Sequence, residues 1–171
     1  MRARRVIGLA LGMLVAAAPL FAAGASTTVL LVRHAEKTSA ATDPPLSVAG
    51  KTRARVLAHV AGSAGVNAIY HTQFQRTQQT VKPLAVAQGL TPIQHPANDT
   101  PGLVSAIQTS WSGKTVVVAG HSNTVPEIIK ALTGIVLPDI PDSQFDNLYV
   151  VVLPPGGPPS LAHLKYGAKT P

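Results

Sequence analysis

The sequence contains no cysteine, so a disulfide framework, a thiolate metal site and a cysteine nucleophile are all closed to it. Aromatic residues are scarce, with one Trp, three Tyr and three Phe, too few for the stacking platforms that hold single-stranded nucleic acid. Acidic residues are also few: seven Asp and Glu face 14 Lys and Arg, a formal charge of +7. Part of that basic excess sits at the beginning. Arg2, Arg4 and Arg5 precede an apolar run from Val6 to Ala18, followed by Pro19 and by Ala23 and Ala25 at an A-x-A spacing. This is the pattern of a secretory signal peptide, residues 1–25, cleaved after Ala25 to leave residues 26–171 as one domain in the periplasm or outside the cell. The run is shorter than the ~20 apolar residues of a spanning helix, so no membrane attachment is expected after cleavage. Cleavage leaves 11 basic against 7 acidic residues, a net +4. The remaining cations are scattered, and nucleic acid is not an expected partner. Without disulfides, an exported domain must draw its stability from its core.

Along residues 26–171, strand-like and helix-like patterns alternate. The runs "TTVLLV" (27–32), "NAIYHT" (67–72), "TPIQH" (91–95) and "KTVVVAG" (114–120) are short and apolar or β-branched, bounded by Gly, Pro or polar residues. Helical stretches lie between them. In the first, Ser47 is the expected N-cap, Gly62 the stop, and Ala49, Val56, Leu57 and Val60 the apolar face. Further helices are expected over 74–89, 101–111 and 123–134, with Pro83 predicting a kink or a late start in the first of these. Two final strands, "NLYVVVLP" and "SLAHLKYG", flank "PPGGPP" as an antiparallel edge hairpin. The pattern predicts a three-layer α/β/α domain with a mainly parallel sheet.

In such sheets sites gather at the carboxyl ends of the strands. "LVRHAEK" puts Arg33 and His34 at the end of the first strand, and "VVVAGHSNT" puts His121 just past the fourth. "HTQFQRTQQT" brings Arg76 near the start of a helix on the same edge. Two guanidinium forks match the oxygens of a phosphoryl group, and helix N-termini near Thr72 and Asn123 would add N–H donors. A neutral imidazole beside phosphorus can attack it and form a phosphohistidine, while the second histidine and the arginines stabilise charge on the equatorial oxygens. The position of His34 beside Arg33 favours it as the nucleophile. Composition by itself does not assign the two roles.

Taken together, "LVRHAEK", "HTQFQRTQQT" and "VVVAGHSNT" resemble the three signature segments of the histidine phosphatase superfamily, the phosphoglycerate mutase-like proteins. The resemblance implies a phosphoglycerate mutase-like fold over residues 26–171 and hydrolysis of phosphate monoesters, or of another phosphorylated substrate, through a phosphohistidine. Carried over by motif, His34 is the residue phosphorylated, Arg33 and Arg76 hold the phosphate, and His121 completes the pocket. Ala35 stands where the family usually has glycine, a change also found in small members that begin R-H-A-E. The chain lacks the long insertions that form substrate caps, which resembles the compact branch containing small phosphohistidine phosphatases.

The family's proton donor is commonly a carboxylate after the third strand. Here the only one is Asp99, in "HPANDTPG", and Asp99 as general acid stands beside Asp99 as the N-cap of the next helix. His59, His95 and His163 are expected to be structural or exposed. Glu36 and Lys37 read as a solvated charge pair. No H-E-x-x-H or H-x-H pattern appears, so neither a metal nor another cofactor is expected. The expected partner is a phosphorylated small molecule or envelope component. The rival to an enzyme is a non-catalytic phosphate- or phosphoprotein-binding module with the same pocket. Nothing in the sequence sets the oligomeric state.

Overall fold

The run Val29-Leu30-Leu31-Val32 is apolar on both of its faces, which suits a strand covered from both sides. In the computed structural model, which describes residues 24–171, it forms the middle of β1 (Thr27–Arg33). The expected signal peptide lies outside the described residues except for Gly24 and Ala25. The elements follow as α1 (Val48–Ala61), β2 (Val66–His71), α2 (Gln75–Gln88), β3 (Ile93–Gln94), α3 (Thr100–Ser110), β4 (Thr115–Gly120), α4 (Thr124–Thr133), β5 (Asn147–Leu153) and β6 (Ser160–Lys165).

The six strands are ordered β3-β2-β4-β1-β5-β6. β1, β2, β3 and β4 pair in parallel, whereas β5 runs antiparallel to β1 and forms the edge hairpin with β6. Helices α1 and α2 cover one face through Leu57, Ala61, Val81 and Leu84. The other face is covered by α3 and α4, through Leu103, Ile107, Val125 and Ile129. The α/β/α layering with a mainly parallel sheet and an antiparallel edge hairpin is therefore as the sequence predicts.

Three local readings need correction. The strand expected over 91–95 shrinks to two residues, because only Tyr70 and His71 of β2 find partners there. Pro83 does not delay the helix: α2 runs from Gln75 with Pro83 inside, and ends at Gly89 in the left-handed region. The third concerns α1. Ser47 is its N-cap as expected, its hydroxyl accepting from the Gly50 N–H at 3.1 Å. Its inward face, however, is Gly50, Arg53, Ala54, Leu57 and Ala61, while Ala49 is exposed and Val60 is 46% exposed.

The reason lies in the segment that follows His34. The α1 backbone at Gly50 approaches the Glu36 backbone so closely that a Cβ added at Gly50 would collide with the Glu36 carbonyl oxygen. One turn on, Arg53 is buried and clasps the Glu36 carboxylate, with Nε 3.0 Å from both oxygens and Nη2 2.7 Å from Oε1. Glycine and arginine thus occupy the inward stripe that a hydrophobicity pattern reserves for apolar residues, and Glu36 is not a solvated charge. Gly50→Ala forces this backbone contact apart, so it is expected to cost about 1–3 kcal/mol, read as a lower urea midpoint with an unchanged slope. A midpoint equal to that of the wild type would contradict the close approach.

Candidate functional site

The parallel register aligns Arg33 of β1 with Gly120 of β4, and the His34 N–H donates to the Gly120 carbonyl at 2.9 Å. His34 and His121 therefore leave adjacent strands at the same level of the sheet, and their rings meet edge to face with centroids 5.5 Å apart. Helix α2 starts beside them and delivers Arg76. These four residues line one open cleft of about 830 Å³, together with Lys37, Asn123 and others from the surrounding loops. That volume holds a phosphoryl group and a sizeable leaving group.

Each ring has its protons assigned by its neighbours. His34 Nδ1 lies 2.8 Å from the Ala35 carbonyl oxygen, which can only accept, so Nδ1 carries the hydrogen. Nε2 keeps its lone pair, and no protein hydrogen bond engages it among the described residues. Burial drives the His34 pKa down to about 3, assisted by the nearby positive charge of Arg33 and Arg76 and opposed by the Ala35 bond. Burial, then Arg76 and Arg33, lower that of His121 to about 4. Both rings are neutral at neutral pH, which a nucleophilic imidazole requires.

The arginines are held by one side of their forks. Arg33 is 4% exposed; its Nη1 donates to the carbonyls of Pro141 (2.8 Å) and Gln144 (3.1 Å), and its Nη2 to Asp142 Oδ1 (2.9 Å). Phe145 stacks on its guanidinium at 4.5 Å. Of five donors this leaves Nε–H and one Nη2–H without an acceptor. Arg76 is tied by Nη1 to the Thr42 carbonyl (3.1 Å) and stacks on Phe74 at 4.2 Å. The Nε groups of both arginines are buried with no partner, which for a buried N–H costs free energy unless a ligand completes it.

The structure thus gathers Arg33, His34, Arg76 and His121. Asp99 stands apart from them. Its carboxylate accepts from the Gly102 N–H at 2.9 Å as the N-cap of α3, approaches His95 Nε2 at 3.2 Å, and lines a separate cavity of about 20 Å³, room for one water. His71 borders that same small cavity. His163 is structural, donating to Asn147 and stacking on Tyr149. Sequence reasoning missed the carboxylates near the pocket. Asp142 pairs with Arg33, Asp43 lies 3.9 Å from Arg76, and Glu127 lines the cleft from α4. No local signal marks Asp142, because it meets Arg33 only through the fold, 109 residues later. Among the described residues no group of three or more His, Asp or Glu side chains is placed to hold a metal ion.

Residues 29–98 match the family model of the histidine phosphatase superfamily (branch 1), a span that includes Arg33, His34 and Arg76. Structural neighbours extend the likeness to most of the chain. The protein histidine phosphatase SixA complexed with tungstate is 18% identical with a TM-score of 0.65, over 81% of this chain and 96% of that one. This is a histidine phosphatase fold. Mycobacterial glucosyl-3-phosphoglycerate phosphatase in complex with VO3 shares it at 13% identity and a TM-score of 0.64, covering 82% of this chain and 99% of that one. So does phosphoglycerate mutase from Plasmodium falciparum, at 16% and 0.61, covering 82% and 91%. No curated protein matches the sequence.

The histidine phosphatase fold here keeps two neutral, buried histidines, and that fixes the sign of an acid effect. Their folded pKa values, about 3 and about 4, lie below the ordinary value of 6.5. Between those limits the unfolded chain binds more protons, so stability rises with pH across the window and is lost as pH falls below about 6.5. The urea midpoint is expected to be lower at pH 4.5 than at pH 7.5, by a smaller margin in His34→Gln. An equal margin in the variant would mean that the acid effect has another source.

Proposed function

We propose that the protein is an exported phosphatase that hydrolyses phosphate monoesters through a phosphohistidine at His34. The observation that carries this reading is the pair of buried, unpartnered Nε–H groups of Arg33 and Arg76 beside an imidazole whose Nε2 lone pair is free. The two arginine forks and a neutral nucleophile form a socket for a tetrahedral dianion. The oxyanions held by two of the structural neighbours, tungstate and VO3, agree with it. The first 25 residues support export to the periplasm or beyond.

In the first step the Nε2 lone pair forms an N–P bond as the P–O bond to the leaving group breaks, and the leaving oxygen takes a proton. In the second, water attacks phosphorus, the N–P bond breaks, its electron pair returns to Nε2, and inorganic phosphate departs. The arginines cannot lose their protons, so they stabilise charge on the transferring group throughout. No step uses a metal.

The test is hydrolysis of p-nitrophenyl phosphate and a panel of alkyl phosphates by the purified chain in EDTA. Steady turnover that vanadate inhibits is expected. Vanadate binding without turnover would make the protein a phosphate-binding module, and activity lost in EDTA and restored by a divalent cation would overturn the metal-free scheme. Asp99→Asn keeps the helix cap while removing the acid. Given the orientation of Asp99 toward Gly102, rates within about twofold of wild type are expected for both substrate types. Selective loss on alkyl phosphates, whose leaving groups need a proton, would reinstate Asp99 as the donor.

A further inference from the structure

His121 is held by a chain of hydroxyl groups that runs away from the cleft. Its Nε2 lies 2.9 Å from Thr72 Oγ1, which lies 2.9 Å from Thr77 Oγ1, which lies 2.8 Å from the Phe74 carbonyl oxygen. All three side chains are buried, Thr77 completely. The direction of the chain follows from its end. A carbonyl only accepts, and Thr77 Oγ1 faces two of them, Phe74 at 2.8 Å and Thr72 at 3.2 Å, so its single proton goes to a carbonyl; Thr77 Oγ1 then accepts from Thr72 Oγ1–H, as it also does from the Thr72 N–H at 3.2 Å. With its proton committed, Thr72 Oγ1 can only accept from the ring, so Nε2 of His121 carries the hydrogen. The opposite side of the ring agrees: Nδ1 faces Arg76 Nη2 at 3.5 Å, and a guanidinium only donates.

We infer that Thr72 and Thr77 are positioning residues that fix His121 in the Nε2–H tautomer, so that Nδ1 is the nitrogen through which this histidine takes up and returns a proton beside the bound phosphoryl group. This rests on the phosphatase reading for its chemistry but not for its geometry. The free ring has the positive charges of Arg76 and Arg33 near it and the neutral His34 in edge contact, and it stays neutral. A phosphate dianion reverses that local field; with Nε2–H held by Thr72, the incoming proton goes to Nδ1, and the Arg76 Nη2–H that faces it at 3.5 Å turns to the phosphate. Nδ1–H then donates to a phosphoryl oxygen or to the departing one, and Nε2–H never leaves Thr72. The reaction that forms the phosphohistidine thus has a proton-bearing partner 5.5 Å away, centroid to centroid.

The decisive measurement is the tautomer itself, read by long-range proton–nitrogen correlation spectra of the wild-type chain labelled with [15N]histidine, with His121→Asn used only to assign the signals. Expected at pH 7 is the Nε2–H pattern without ligand, changing to the doubly protonated pattern when inorganic phosphate is added. An Nδ1–H pattern in the free protein would overturn the positioning role. A ring that stays neutral with phosphate bound would overturn the proton-carrying role. Thr77→Val removes the relay at nearly constant shape: a mixed tautomer is expected, with kcat lower by roughly ten- to a hundredfold and KM changed less than threefold, and recovery in Thr77→Ser. Retention of the Nε2–H pattern in Thr77→Val would sink the relay. Because the spectra need no turnover, failure of the phosphatase reading and failure of this one are separate results.

Discussion

His34→Ala is expected to lower phosphate ester hydrolysis by about four orders of magnitude or more, the scale on which removal of a covalent nucleophile acts. The loss should fall on kcat, because the groups that hold the phosphoryl oxygens stay in place. Arg33 is secured by Pro141, Gln144, Asp142 and Phe145, and none of these contacts passes through His34. Vanadate should therefore still raise the melting temperature of the variant by ligand linkage, while no acid-labile phosphoryl label forms on quenching. A variant that keeps a tenth of the wild-type kcat would remove His34 as nucleophile. The binding arm is what makes a null result interpretable, since a misfolded variant would lose both signals.

The largest effect on stability is expected at Arg53. Its guanidinium makes paired bonds to Glu36 and also donates to the carbonyls of Tyr166 (2.7 Å) and Ala168 (2.8 Å). Arg53 is 3% and Glu36 19% exposed. Arg53→Met leaves a half-buried carboxylate and two carbonyls without a donor, and removal of one partner of a buried pair costs about 3–5 kcal/mol. In a domain of this size that corresponds to a fall in melting temperature on the order of 10 °C. Adding Glu36→Leu should restore only part of the loss, because the two carbonyls stay unmet. A shift below about 2 °C in Arg53→Met would show that the clasp contributes little. Activity should fall as well: Glu36 is two residues from His34, and the clasp ties that segment to the C-terminal end of the chain.

Much of the architecture is legible in the sequence because burial on both faces leaves a plain mark. The runs before His34 and His121 are apolar throughout, and β1 and β4 appear where those runs lie. The grouping of Arg33, His34, Arg76 and His121 follows from one rule, that successive parallel strands end on the same edge. What escapes is whatever depends on contacts between distant segments. The inward face of α1 is misread because Gly50 and Arg53 turn inward for Glu36, and residue type alone does not announce a backbone contact or an ion pair. Asp142 escapes for the same reason, lying on the loop between α4 and β5. Asp99 was open to two roles; its Oδ1 accepts from the Gly102 N–H as the cap, and the Asp99→Asn comparison decides the other.

The register that sets Arg33 against Gly120, and the bond from the His34 N–H to the Gly120 carbonyl, have a consequence for how such a domain diversifies. The spacing of the two histidines is dictated by the rungs between neighbouring strands, a dimension common to every sheet, and not by the length of any connecting segment. Residues 38–46, 95–99 and 135–146 do not set that separation, although two of these stretches hold the arginines, Arg76 through the Thr42 carbonyl and Arg33 through Pro141, Asp142, Gln144 and Phe145. Selectivity can be varied without disturbing the two histidines at positions that line the cleft but hold neither arginine, such as Lys37, Asn98, Asn123 and Glu127.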